Sequence, residues 1–390
     1  MDRIYLDHAA TTPVREEVVE AITPCYRETF GNASSVHRFG KEANEILESS
    51  RRSVARAIGA SPEEIYFTSG GTESDNLGVK GVMRANRDRG VHLITSSIEH
   101  LAVLNTAKAL ADEGYEVTFL PVDEHGRIDL DELEEAIGPE TTLISIMRAN
   151  NETGVLQPIA EVTEIAHEHD VLVHTDAVQA VGKIPVDVDE LGVDLLSLSG
   201  HKIYGPKGVG ALYVRKGTKF KPILHGGHHE NGKRPGTENV PAIAGLGKAI
   251  ELAVDELDDV SERMRRLRDR LEEGIRENVD EVYLNGHPEH RLPNLLNLSF
   301  RYVEGESLLL TLDTKGVAVS TGSACTSGSL EPSHVLDAMG MDPALAHGSL
   351  RFSLGRDNTE EQIDYVIDCM GEIVERLRQM SPLYAESQEA

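Results

Sequence analysis

A lysine and an aspartate behind apolar runs, a glycine pair ahead of a helical pattern, and a cysteine in a tract of small residues are the parts of this chain that could do chemistry. The segment Ser69-Gly70-Gly71-Thr72-Glu73-Ser74 follows an apolar run and opens a helical pattern. Two glycines allow close backbone approach, and the Thr72 hydroxyl with the free N–H groups of a helix start suits an anion such as phosphate. The same residues also fit a plain capped turn. His100, in Ile98-Glu99-His100, stands at another strand end, where a lone histidine is structural or catalytic. Asn150-Asn151-Glu152 follows a third run and can turn the chain or hold a polar ligand edge. Asp176, in Asp176-Ala177-Val178-Gln179, can face a protonated ring nitrogen or cap the next segment. Lys202, in Ser199-Gly200-His201-Lys202, lies among small residues beside a histidine. Positive neighbours and burial there lower an amine's pKa and free it for Schiff-base chemistry.

Cys325 sits in Ser320-Thr321-Gly322-Ser323-Ala324-Cys325-Thr326-Ser327-Gly328, a tract that cannot pack strongly and reads as a mobile loop with a thiol. A buried structural cysteine is the commoner case, and Cys25 and Cys369, in helical patterns, take that reading. Three cysteines without a Cys-x-x-Cys pair exclude a disulfide framework and a zinc ribbon. The cluster His225-Gly226-Gly227-His228-His229-Glu230 offers metal-ligand types but no helical i,i+4 pair, and no metal is assigned to it.

These residues must be positioned by alternating elements. Strands are predicted at 64–68, 91–96, 116–120, 142–147, 171–175, 194–198 and 209–214, with helices at 73–88, 101–113, 130–137 and 159–169. That alternation means βαβ units and a mainly parallel sheet. The link 199–208 is too short for a crossover helix, so the last two strands should be antiparallel. Beyond residue 240 the pattern changes to one long charged helix at 242–278, strands at 295–300 and 349–354, and a final helix at 359–379. The expected organisation is a large α/β domain over 15–250, with 1–14 and 251–390 forming a smaller α+β domain. In an open parallel sheet, ligands bind beyond the carboxyl ends of the strands. A phosphate cradle, an aspartate and a lysine at three such ends are the set that pyridoxal phosphate requires.

Composition narrows the partners. The 390 residues carry 66 acidic against 38 basic side chains, a formal charge of −28. That field repels phosphate backbones and anionic lipid, and with no tryptophan and 4% aromatics there is little to stack bases on, so nucleic acid and membrane are excluded as partners. No run is long and apolar enough for a membrane helix. The start shows no signal-peptide pattern, and a cytoplasmic protein is expected. Acid excess with 26 Arg against 12 Lys predicts a halophilic, salt-adapted chain.

The chain resembles the cysteine desulfurases of the class V aminotransferase group, in their iron–sulfur-cluster-assembly branch. The matching segments begin with Tyr5-Leu6-Asp7-His8-Ala9-Ala10-Thr11-Thr12-Pro13, Gly31-Asn32-Ala33-Ser34-Ser35-Val36-His37 and Phe67 to Ser74. They continue through Asn150-Asn151-Glu152, His174 to Gln179, Ser199 to Gly208, Gly236-Thr237-Glu238-Asn239, Ser323-Ala324-Cys325 and Arg351 to Arg356, in order over nearly the whole chain.

The resemblance implies a fold-type-I pyridoxal-phosphate homodimer with a seven-stranded, mainly parallel sheet. It implies that Lys202 carries the cofactor, that Asp176 pairs with its ring nitrogen, that Gln179 meets its phenolic oxygen, and that His100 stacks on the ring and shuttles protons. Gly71, Thr72, Ser199 and His201 would hold the phosphate, with Thr237 reaching in from a second subunit. Asn151 and Arg351 would hold the carboxylate of an L-cysteine substrate, and Cys325 would take its sulfur as a persulfide and leave alanine. The acceptor would be an iron–sulfur scaffold protein. Departures are Arg148-Ala149 for His-Val, His228-His229 for Gly-Gln and Pro235 for Ser, the last two in the segment expected at the dimer interface. The rival readings are a selenocysteine lyase or aminotransferase of the same fold, and a non-catalytic sulfur- or cluster-binding partner.

Overall fold

The computed structural model describes residues 3–321, 333–382 and 384–385. Its strands are β1 (Ile4–Tyr5), β2 (Ile65–Thr68), β3 (His92–Ser96), β4 (Glu116–Leu120), β5 (Thr141–Ser145), β6 (Leu172–Asp176), β7 (Leu195–Ser199), β8 (Gly210–Val214), β9 (Val282–Leu284), β10 (Leu295–Phe300), β11 (Val317–Ala318), β12 (Ser320–Thr321) and β13 (Ser349–Ser353). Seven of them form one sheet in the order β2-β8-β7-β6-β5-β3-β4. All neighbours are parallel except β8, which runs against both β7 and β2. The short link after residue 199 accounts for that reversal, as predicted.

Neighbouring residues on a strand point to opposite faces, and the core divides accordingly. Ile94, Ile144, Val173 and Leu196 face one hydrophobic cluster, packed by Ile159, Val162 and Ala166 of the helix Ile159–Glu168. Leu93, Leu143, Leu195 and Leu212 face the other, packed by Leu77, Val82 and Met83 of the helix Gly71–Ala85. Every residue of β3, β5 and β7 is buried. A sheet covered on both faces reads as continuous rather than alternating apolar runs, which is why these strands stand out in the sequence.

A second, antiparallel sheet has the order β12-β13-β10-β9. Its core joins Leu296, Leu298, Phe300, Leu350 and Phe352 to Ile363, Val366 and Met370 of the helix Glu360–Gln379, and Ile4 and Leu6 from the chain start pack into it. The predicted single helix at 242–278 is two helices, Val240–Asp255 and Leu257–Asn278. The break lies at Glu256, whose backbone sits at φ −100° and ψ 2°. Its carboxylate receives both terminal nitrogens of Arg15, at 2.8 and 3.0 Å. Apolar residues of the first helix face the large-sheet cluster, while those of the second face the smaller sheet. A continuous rod could not satisfy both. Among the described residues no helix is long and apolar enough to cross a membrane.

Candidate active site

The strand ends β2, β3, β5, β6 and β7 all open on one edge of the large sheet, and the segments after them converge there. Gly70, after β2, sits at φ +151°, a conformation that only glycine adopts readily. A Cβ on Gly71 would lie 2.8 Å from Val178 Cγ2, and one on Gly210 would lie 2.8 Å from the Gly70 backbone. The chain can pass between β8 and the Asp176 turn only without side chains. The helix Gly71–Ala85 then starts with its free N–H groups at the sheet edge. Ser199 Oγ, 3.9 Å from where a Gly70 Cβ would stand, is buried and has no hydrogen-bond partner among the described residues. A buried hydroxyl without a partner beside a helix start is a site for an anion.

Asp176 is the last residue of β6, not the first of the following turn, so the strand aims it at the site. Its Oδ1 accepts from Val178 N at 2.8 Å. Burial pushes its pKa up, opposed by His100, the Val178 hydrogen bond and Lys202. Two more buried carboxyls flank it. Glu99 accepts from Ser96 Oγ and Met147 N, and burial raises its pKa to about 8. Burial and Asp176 raise that of Asp75. His174, beneath them, shares hydrogen bonds with Ser145 and Ser197 and is held neutral by burial, with a pKa of about 3.

His100 is the N-cap of the helix Leu101–Asp112, its Nδ1 accepting from Ala102 N at 3.1 Å. That bond places the ring proton on Nε2. Burial lowers its pKa. Lys202 Nζ donates to the carbonyls of Ala9 and Ala10 at 2.5 and 2.8 Å. The chain start is thereby tied to the end of β7. Burial and then Lys202 hold His201 down at about 4, so its imidazole is neutral at pH 7. Gln179 is buried and donates to Ala9 O at 2.9 Å.

Arg351, on β13 of the smaller sheet, reaches across to the large one. Its guanidinium donates to Asn151 O and to Asp7 Oδ1, both at 2.9 Å, and its Nε is buried without a partner. A half-satisfied, deeply buried guanidinium is a receptor for a carboxylate.

The structure thus brings together Gly71, Ser199, His201, Lys202, Asp176, Gln179, His100, Asn151 and Arg351. Thr72, at the same helix start, is exposed. So is Thr237, and no described bond ties it to this site. Cys325 lies outside the described residues. Glu230 of the histidine-rich segment is taken by Arg51, through two 2.7 Å bonds, and by Phe67 N. Among the described residues no group of three potential ligands is assembled for a metal.

The sequence reading missed Asp7, Asp75, His174 and Lys183. Only Lys183 had a local signal, four residues after Gln179; the others matter through burial and long-range contact.

A group with a phosphate, a protonatable ring nitrogen and an aldehyde fits these residues. The unpartnered Ser199 hydroxyl and the helix start suit the phosphate, the buried Asp176 the ring nitrogen and Lys202 the aldehyde. Comparison with known proteins agrees. The family Aminotransferase class-V matches residues 4–366. Cysteine desulfurase IscS of Dictyoglomus turgidum is 56% identical over 383 residues, covering 98% of this chain and 97% of that protein. Its counterpart from Methanosarcina thermophila is 57% identical, covering 97% and 94%. A solved NifS-like protein superposes with a TM-score of 0.91 at 44% identity, over 96% of this chain and all of that one. A structure of SspA in complex with cysteine gives a TM-score of 0.81 at 39% identity, over 91% and 100%. The chain belongs to the class-V aminotransferase family, among its pyridoxal-phosphate-dependent cysteine desulfurases.

Proposed function

We propose that this chain removes sulfur from L-cysteine, giving L-alanine and a persulfide on Cys325. The observation that carries the reading is the placement of Lys202, Asp176 and His100 at one sheet edge, with Arg351 facing them from the second sheet. Gly71, Thr72, Ser199 and His201 would hold the phosphate of pyridoxal phosphate, Gln179 would donate to its phenolic oxygen and Lys202 would anchor it. Bound there, the cofactor supplies an electron sink conjugated with the substrate's α-carbon. Asp176 would pair with the ring nitrogen from its buried position; burial raises its pKa, and His100, the Val178 hydrogen bond and Lys202 oppose that rise. Arg351 and Asn151 bind and orient the substrate carboxylate. Lys202 would move the α-proton, and His100 offers a neutral imidazole with its proton on Nε2. The Cys325 thiolate attacks the substrate sulfur. The new S–S bond forms as the Cβ–S bond breaks, and Cβ takes a proton to give alanine.

The product decides between this reading and an aminotransferase. Cysteine should yield alanine in equal amount to the sulfur recovered with a thiol reductant. A keto acid that retains the sulfur would overturn the reading. Arg351→Lys keeps the charge but loses the two-pronged geometry. With about 1.5–3 kcal/mol of charged hydrogen bonding at stake, KM for cysteine should rise roughly 10- to 150-fold with kcat less affected; an unchanged KM would remove Arg351 from the substrate site.

We assign the acceptor to an iron–sulfur scaffold protein and the reaction to a reducing cytoplasm, which suits the free thiols Cys25 and Cys369. We divide the chain into a large domain over 15–250 and a small one of 1–14 with 251–390. This suits the separate cores on the two sheets. A homodimer accounts for the exposed Tyr26, Phe30, Val36 and Phe39 on one stretch, and Thr237 then reaches the partner's phosphate site. The charge of −28 calls for salt to screen it. Light scattering should give twice 42.6 kDa in molar salt and dissociation or aggregation in dilute buffer. A monomer in molar salt would refute the dimer, and an intact dimer in dilute buffer the salt adaptation.

A further inference from the structure

Lys183 is a buried lysine for which the reaction above has no use. It is 5% exposed. Gly182 before it has φ +72°, and a Cβ there would lie 2.8 Å from Ile203 Cγ2, so the turn that buries Lys183 is tight. Its ammonium donates to Gln179 O at 3.1 Å and to Gln179 Oε1 at 2.9 Å. Lysine has donors and no acceptor, so the oxygen of the Gln179 amide must face Lys183. The amide nitrogen is thereby turned the other way, and it donates to Ala9 O, the carbonyl that also receives Lys202 Nζ. Lys183 and Lys202 line one cavity of about 30 Å³ whose lining also includes His8, Arg15, Glu256 and Arg356. That space holds few water molecules, and after burial the Lys202 charge is the largest influence on Lys183.

We propose that Lys183 is a positioning residue for the cofactor pocket: it locks Gln179 with its N–H groups toward the Lys202 side, and it places a second positive charge opposite the Lys202 amine. The inference rests on the pyridoxal-phosphate reading given above. Burial first, and then the positive charges of Lys202 and Arg351, lower the pKa of Lys183 to about 7. His8 and His201 feel Lys183 in turn, and both are held neutral, near 4. A group that is positive only below about pH 7 adds its Coulomb effect there, while its N–H bonds to Gln179 persist above it. Loss of Lys183 acts in one direction through both routes. A Gln179 amide free to turn presents its oxygen to the protonated nitrogen at Lys202, and a repelling charge disappears. Both favour the protonated form.

The test uses the dimeric holoenzyme and the cofactor-free protein in parallel. In the holoenzyme, the pH midpoint of the cofactor's absorption change is measured from pH 6 to 10. In the cofactor-free protein, acetylation of Lys202 by acetic anhydride is followed against pH by peptide mass spectrometry. Lys183→Met should raise both midpoints: by about one unit where the midpoint lies below pH 7 and the lost charge counts, the low end of what a neighbouring charge does, and by less above it, where only the freed Gln179 oxygen acts. Lys183→Arg, which keeps charge and donors, should restore most of it. Gln179→Leu, which keeps Lys183, should raise the holoenzyme midpoint by less than Lys183→Met does. Unmoved midpoints in Lys183→Met overturn the proposal. Should that variant not fold, an unmoved midpoint in Gln179→Leu overturns it instead. A wild type that binds no pyridoxal phosphate sinks the functional reading, and the acetylation profile then still decides whether Lys183 acts on Lys202.

Discussion

Lys202→Ala should leave a folded but colourless protein that releases no measurable alanine from cysteine. Removing one acid–base group costs about 10²–10⁴-fold in rate, and here the same amine also anchors the cofactor. The loss should therefore lie at the upper end of that range or beyond. Lys183 shares the cavity but is committed to Gln179 through two hydrogen bonds. The fold should tolerate the change, because Ala9 O keeps its bond from Gln179 and the link between chain start and β7 keeps Thr12 N to His201 O at 2.9 Å. Absorption spectra with added pyridoxal phosphate, a melting curve and an alanine assay check this together. A yellow, active Lys202→Ala protein would exclude the assignment.

Cys325→Ser should separate cofactor chemistry from sulfur transfer. The cofactor pocket is built from residues at the large-sheet edge, far in sequence from residue 325. The variant should therefore bind pyridoxal phosphate and change colour with cysteine as the wild type does. Alanine release should fall by about 10³-fold or more, since losing a covalent nucleophile costs up to about 10⁶ in kcat. Hydroxyl oxygen is a poor nucleophile toward sulfur, and its pKa lies far above that of a thiol. An unchanged rate would mean that sulfur leaves without Cys325, and the first rival, a selenocysteine lyase or aminotransferase of the same fold, would take its place.

The two halves of the site were unequally legible in the sequence. Lys202, Asp176 and the Gly70-Gly71 turn announced themselves because a doubly covered parallel sheet makes its strands unmistakable, and whatever follows a strand stands at the ligand edge. The antiparallel β8 was legible because a link of that length cannot cross over. Arg351, by contrast, lies in β13, in a sheet of its own, and reaches the site only because Asp7 and Asn151 hold it there. Nothing local in Arg351-Phe352-Ser353 says so, and only the family resemblance pointed to it. Asp75, Glu99 and His174 owe their altered proton affinities to full burial, which side-chain type does not report. The break at Glu256 depends on Arg15, over two hundred residues away in sequence, and helical periodicity runs through it unmarked.

The most direct test of the central claim is peptide mass spectrometry after the holoenzyme meets L-cysteine in high salt, without reductant. The account predicts one added sulfur on the peptide that carries Cys325, none on those of Cys25 and Cys369, and alanine in equal amount. Alanine formed with no sulfur on Cys325, or sulfur distributed over all three thiols, would contradict it.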